Sequence, residues 1–386
     1  MPISFNRHGP FYRLQRRLGL LSEADLSVRR RAMLFIAVAW IPAVVLAAMQ
    51  GLAIDPHHER AILLDYSTYA LAIAIACFVL MEQSSDTRMA RLVNEFEARG
   101  IVTEASRICM ARAKANMGRR TGSSLAEAAI LVLAYALGYL WLLNAPMTTD
   151  QGAWHGRMVD GSLQLTLAGW WVALVSLPLY WFLFGRWLWR FVTWGIMLFD
   201  ISRCGLRLVA THPDRCGGLA FVGQYPRTYV LFVFAESTVV SATVLKAVVY
   251  GGASLMGFKF ALLGMIVLFA LAFIVPLAVF MPQLVALKHQ GLAHYGSLAS
   301  KHNLSFDAKW ISGKEPAEEL LGSPDPSSLA DFAAGYDLIR RMLPVPVNLE
   351  SVIPIVMAAL IPLVCVALTQ VPVVQVADEI KKLMPF

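Results

Sequence analysis

Residues 228–250 read TYVLFVFAESTVVSATVLKAVVY. An α-helix rises 1.5 Å per residue, so this run reaches about 35 Å, enough to cross a hydrocarbon core of about 30 Å. It also carries Glu236, Ser237, Ser241, Thr243 and Lys246. At about 100° per residue Thr243 falls about 20° and Lys246 about 80° from Glu236, so the three share a face that Ser237 and Ser241 widen. A membrane span with a polar stripe is the unit from which the rest of the chain is read.

Working outward, six more runs have the length and apolarity to span: 32–54, 61–81, 124–144, 163–185, 258–282 and 351–377. Asp65 stands in the first turns of the second, and Pro354, Pro362 and Pro372 interrupt the last. The bulk composition agrees: 58% of the 386 residues are hydrophobic and only 15% are charged, with a mean hydropathy of +0.59, which is not a water-soluble balance. The expected fold is all-α, a polytopic bundle of about seven transmembrane helices with cytoplasmic helical extensions. The first run follows Arg29, Arg30 and Arg31 and is long enough to remain as an uncleaved span.

Lys and Arg sort by loop. Segments 1–31, 82–123, 186–227 and 287–350 hold seven, eight, six and six of them, whereas the alternate loops hold only Arg60, Arg157 and Lys259. Positive charge stays cytoplasmic, so the chain is expected in a bacterial cytoplasmic membrane with its N-terminus inside and its C-terminus periplasmic. The divisions that follow are a cytoplasmic segment with an interfacial helix (1–31), spans one and two (32–81), a cytoplasmic helical hairpin (82–123), spans three and four (124–185), a helix extension and turn (186–227), spans five and six (228–282), a cytoplasmic helical region (283–350), span seven (351–377) and a short tail (378–386). The basic balance is explained by this sorting and calls for no nucleic acid; the partners expected are the bilayer, its anionic phospholipid headgroups and further copies of the chain.

Between the spans, the stretch around Gly100 reads as a helical hairpin, and residues 283–302 as a continuation of the sixth span beyond the bilayer. Ser328 and Asp331 mark a helix start, and the prolines of LPVPV its end. Near the N-terminus Phe11, Leu14, Leu18 and Leu21 alternate with Arg13, Arg16 and Arg17 as on an interfacial helix. Seven of the ten tryptophans crowd the fourth span and its flanks, where Arg186 and Arg190 are expected at headgroup level as anion candidates. The five cysteines form no CxxC pair and imply no disulfide framework.

LRLVATHPDRCGGLAFVG, residues 206–223, joins the fourth and fifth spans. His212, Asp214 and Cys216 alternate as ligands on an extended strand do, a weak metal pattern because zinc sites draw spaced pairs from separate turns. Arg207, Arg215 and the amides around Gly217 and Gly218 offer an anion or headgroup cradle. The structural alternative is a turn in which Pro213 restricts the backbone, Asp214 caps amides and the glycines take left-handed torsions. His57–His58 sits in an outer loop, and His289 and His294 fall on different helix faces. No catalytic triad, HExxH, P-loop or paired-carboxylate arrangement is readable, and no cofactor is implied.

THPDRCGGLAFVG, LVALKHQGLAHYGSLASKHNLSFDAKW and SSLADFAAGYDLIRRMLPVPV resemble a group of uncharacterised bacterial polytopic inner-membrane proteins. The resemblance runs from about the fourth span to the C-terminus, implies the same membrane location and carries no activity with it. From the residues, the leading expectation is an ion channel or transporter with a polar path along the fifth span and a proline-broken seventh span. A non-catalytic scaffold or signalling protein working through cytoplasmic helices 86–118, 283–302 and 327–343 is the alternative. A lipid-modifying enzyme with its site around His212, Asp214 and Arg215 is the third.

Overall fold

The computed structural model describes residues 9–21, 26–54, 61–143, 154–159, 162–312, 322–347 and 349–369. Its helices are α1 (Pro10–Arg17), α2 (Val28–Met49), α3 (Tyr66–Ala98), α4 (Glu104–Thr121), α5 (Ser124–Leu143), α6 (Leu167–Trp171), α7 (Leu177–Ser202), α8 (Val230–Val249), α9 (Lys259–Ile274), α10 (Met281–Phe306), α11 (Asp325–Arg340) and α12 (Leu349–Leu368). Seven helical stretches are long and apolar enough to cross a membrane: Val28–Met49, Tyr66–Ala98, Ser124–Trp141, Leu167–Ser202, Ala220–Val249, Leu255–Ile311 and Leu349–Leu368. The chain is a multi-pass α-helical membrane protein. Its outward faces agree, since α9 presents Phe260, Leu263, Leu268 and Leu271 outward, with Phe260 at 76% exposure. Such a contiguous apolar face is solvated by lipid, not water.

Local chemistry sets the helix ends. Asp65 is not inside the second span but caps it, accepting the Ser67 amide at 2.9 Å. The hairpin expected around Gly100 forms: Gly100 takes φ 66° after α3, and Thr103 opens α4 in a reciprocal capping arrangement with Ser106. The sixth span continues beyond the apolar run as α10, through residues 283–302, as expected.

Prolines inside these helices follow one pattern. A proline deprives the carbonyl four residues earlier of its amide donor, and in lipid that carbonyl needs a substitute. Pro42 frees Val38 O, which accepts the Trp171 indole N–H at 3.0 Å. Pro178 frees Leu174 O, to which the Tyr135 hydroxyl donates at 3.4 Å. Pro354 frees Glu350 O, which accepts from Arg227 Nη2 at 3.1 Å. Beside Pro362, the carbonyl of Ala359 takes the Ser237 hydroxyl at 2.5 Å. Pro42, Pro178 and Pro354 thereby tie their helices to a neighbour, and α12, expected to be broken by its prolines, is one helix from Leu349 to Leu368.

The structure corrects three further expectations. Residues 163–165 are not helical: they belong to β2 (Ser162–Leu165), which pairs antiparallel with β1 (Gly156–Val159). Gly169 lets this hairpin lie on α6, since a Cβ there would stand 1.9 Å from His155 O. The fourth span then passes through a π-helical turn at Val172–Ser176 before running to Ser202. Helix α11 begins at Asp325, not Ser328, and the hydroxyls of Ser327 and Ser328 both donate to Pro324 O at 2.9 Å. Cys109 of α4 and Cys204 after α7 form a disulfide, 95 residues apart, where no bridge was expected. His57, His58 and the tail at 378–386 lie outside the described residues.

Candidate functional site

The stripe on α8 faces two ways. Glu236 and Thr243 line a cavity of about 280 Å³ walled by α2, α3, α7 and α8. Ser237 is fully buried on another side, bonding Ala359 of α12, and Ser241 is buried there without a partner among the described residues. These two serines are helix-packing groups, and the expectation that they widen the polar path is withdrawn. Thr243 donates to its own helix at Val239 O, 3.0 Å away. Glu236 is the only acidic residue among the described residues that line the cavity. The Tyr180 hydroxyl donates to its carboxylate, 3.0 and 3.1 Å from the two oxygens.

The walls are aromatic. Trp40, Trp141, Trp154, Tyr180 and Trp181 all border the cavity, with Leu71 and Val240 among the aliphatic lining. Among the described residues the indole N–H groups of Trp40 and Trp181 are buried and make no hydrogen bond. A carboxylate whose side-chain partner among the described residues is one neutral hydroxyl, in a largely apolar cavity, is an arrangement that packing alone does not require.

Two layers close the cavity toward the Lys/Arg-rich end. One helical turn from the cavity residues stand Phe35 on α2, Phe184 on α7 and Phe232 on α8, with Phe78 of α3 nearly two turns past Ala72. Three of these rings pack together, with Phe184–Phe232 at 5.5 Å, Phe78–Phe232 at 5.6 Å and Phe78–Phe184 at 6.5 Å. A further turn along lies a buried charge network. Arg31 donates to Glu82 at 2.7 Å and to Gln15 at 2.6 Å. Arg190 reaches Glu82 at 3.4 Å, and Arg186 pairs with Glu127 at 3.5 Å while stacking over Phe11 at 4.5 Å. Arg186 and Arg190, expected at headgroup level as anion ligands, are therefore internal, with side chains 7% and 6% exposed. They tie α7 to α3 and α5, and Glu127 is buried with them. Breaking one partner of such a pair costs about 3–5 kcal/mol because it strands the other charge.

At the opposite end Asp65 collects Lys246 (3.2 Å), the Trp154 indole (2.8 Å) and Ser67. Lys246 thus pairs with α3 and not with Glu236 on its own helix. His155 is buried beside Trp154, their rings 5.3 Å apart, and neither ring nitrogen has a partner among the described residues. Burial, with Lys246 adding to it against the opposing pull of Asp65, pushes the His155 imidazolium down to about 4. It is a neutral wall element at pH 7.

The HPDRCGG turn folds around Asp214. Its carboxylate accepts the amides of Cys216 (2.9 Å), Gly218 (3.0 Å) and Ala220 (3.0 Å), with His212 Nδ1 at 2.8 Å. Arg215, Gly217 and Gly218 take positive φ of 58°, 64° and 100° to aim those amides inward. The cradle expected for a headgroup is filled by Asp214 itself, while Arg207 and Arg215 point out as exposed side chains. Burial works against the Asp214 charge, but the three amides and His212 outweigh it and hold the carboxyl below its ordinary value. Burial, then Asp214, pushes the Cys216 thiol up to about 12. Among the described residues no cluster of His, Cys, Asp and Glu has metal-binding geometry, and the weak metal candidate His212, Asp214 and Cys216 is set aside. Backbone bonds anchor the turn, with the Arg207 amide donating to Ile101 O at 2.9 Å and the Leu343 amide to Arg215 O at 2.8 Å.

Sequence reasoning found Glu236, Thr243, Lys246 and Asp65 but missed Tyr180, Trp40, Trp181, Arg31 and Glu82. A signal was present in the four-residue series Arg31, Phe35, Ala39, Ala43 and in Phe78, Glu82, which place charge, aromatic ring and small residue in register along one helix face. No protein-family model matches the chain, and no curated protein and no solved structure matches it either.

Proposed function

We propose that the protein is a transporter that carries a small solute through the cavity at Glu236, exposing it to one side of the membrane and then the other. The observation that carries this reading is a carboxylate in the middle of α8 that lines a cavity within the bundle, with an aromatic layer and an ionic layer stacked toward the Lys/Arg-rich end. An open channel needs a continuous wet path, and the Phe78, Phe184 and Phe232 layer interrupts it. A sealed cavity is what alternating access requires, with binding near the middle of the bundle and helices that rock around it. The interhelical pairs Arg31–Glu82 and Arg190–Glu82 are the bonds such rocking would exchange, and Lys246–Asp65 with Trp154 are their counterparts at the hairpin end.

The test is reconstitution. Vesicles loaded with a defined mixture of amines, amino acids, sugars and organic anions are diluted, and retained solutes are quantified by mass spectrometry. At least one class is expected to escape faster than from protein-free vesicles, and Glu236→Gln to slow that escape by about tenfold, equivalent to about 1.4 kcal/mol. Escape no faster than from protein-free vesicles, or a steady conductance that ignores Glu236→Gln, would remove the reading.

A further inference from the structure

Resting on the transport reading, we infer that the solute is a small organic cation, its charged head seated between the Glu236 carboxylate and the aromatic faces of the cavity. The argument begins with charge. Each other acidic group bordering or closing the cavity has a cation beside it: Asp65 has Lys246, Glu82 has Arg31 and Arg190, and Glu127 has Arg186. Glu236 has only the neutral Tyr180 hydroxyl. A carboxylate has about four acceptor sites, so the cavity holds an unmet demand for positive charge.

The walls decide what kind of positive charge. Hard inorganic cations want several oxygen ligands, and among the described lining residues Glu236 is the only carboxylate, the other side-chain oxygens being hydroxyls of Ser67, Thr68, Ser176, Tyr180 and Thr243. Trp40, Tyr180 and Trp181 instead border the space, and aromatic rings attract an ammonium or guanidinium group through their quadrupoles, most strongly when water is excluded. The same carboxylate repels an anion. About 280 Å³ of space suits a molecule of modest size.

The experiment uses the purified full-length chain and a matched pair of probes, choline and its uncharged isostere 3,3-dimethylbutan-1-ol, with tryptophan fluorescence reporting occupancy. Choline is expected to bind at least about tenfold more tightly than the isostere, and Glu236→Gln to erase most of that difference while leaving isostere binding unchanged. The wild-type comparison needs no variant, so a misfolded Glu236→Gln protein does not rescue a failed result. Equal binding of the two probes, or no binding of either, overturns the inference. Counterflow of radiolabelled choline in the same preparation separates the two claims. Selective binding without counterflow sinks the transport reading and leaves the cation site. Glu236-dependent movement of an uncharged or anionic solute, with no choline binding, does the reverse.

Discussion

A carboxylate that accepts three backbone amides is not free to do chemistry, and Asp214 is in that position. Asp214→Ala strands those amides in a half-buried turn, and at about 1–3 kcal/mol for each unmet group a loss of about 2–4 kcal/mol is expected in thermal unfolding of the detergent-solubilised protein. Asp214→Asn keeps one acceptor oxygen and should lose less. The sign with pH follows from the lowered carboxyl: an unfolded Asp titrates near 3.9, so the contribution is complete above that value and disappears as pH falls through the lower folded one. Wild-type stability should fall on that acid limb, and Asp214→Ala should flatten it; an unchanged limb would contradict the role given to Asp214. Pro213, Gly217 and Gly218 made the turn legible in the sequence because their backbone restrictions are local. Glu236 was legible for a similar reason, as an ionisable residue inside an apolar run. Its partner Tyr180, 56 residues away, was not, because which helix faces it is a property of the bundle.

At the scale of the element, the recurring device is the proline-freed carbonyl answered by a neighbouring side chain. It yields a coupling prediction. Trp171→Phe removes the donor to Val38 O and should cost about 1–2 kcal/mol, while Pro42→Ala returns an intrahelical amide to the same carbonyl. The double variant should therefore be more stable than the sum of the single losses implies, with a coupling of at least about 0.5 kcal/mol in a thermal-unfolding cycle; strict additivity would show that Trp171 and Pro42 act independently. The seven spans themselves were legible, because length and hydropathy are read from one run at a time. Residues 163–165 of the second hairpin strand were read as span, although Asp160–Gly161 is a hairpin signal; the apolar residues after them masked the boundary. The π-helical turn at Val172–Ser176 left no such trace. The carbonyls of Val38 and Ala39 on α2 receive Trp171 and Ser176 there, so its cause lies on another helix.

Across the whole molecule the polar groups fall into strata. Arg31, Glu82, Arg186, Arg190 and Glu127 form one layer, the phenylalanines the next, then the cavity at Glu236, then Asp65 with Lys246 and Trp154. Charge sorting in the sequence separated the two ends of the bundle, and contacts such as Arg207 to Ile101 and Arg88 to Arg227 gather the Lys/Arg-rich segments together. The Cys109–Cys204 bridge stands at that end, which the charge rule assigns to a compartment where disulfides are rare. The asymmetry of four whole segments is the stronger indicator of orientation, since one thiol pair exists in either redox state. The strata were only half legible: each helix carries its residues at four-residue spacing, but alignment into layers depends on how the helices slide past one another.

Alternating exposure of the cavity is tested most directly by placing a thiol in it. In a background where Cys77, Cys216 and Cys365, the free cysteines, are replaced, Thr243→Cys is exposed to a membrane-impermeant thiol reagent added to either face of sealed vesicles. Modification from the hairpin face alone is expected at rest, slowed by choline, with modification from the Lys/Arg-rich face appearing once choline is present on both sides. Equal modification from both faces at rest, or from neither under any condition, would contradict the account.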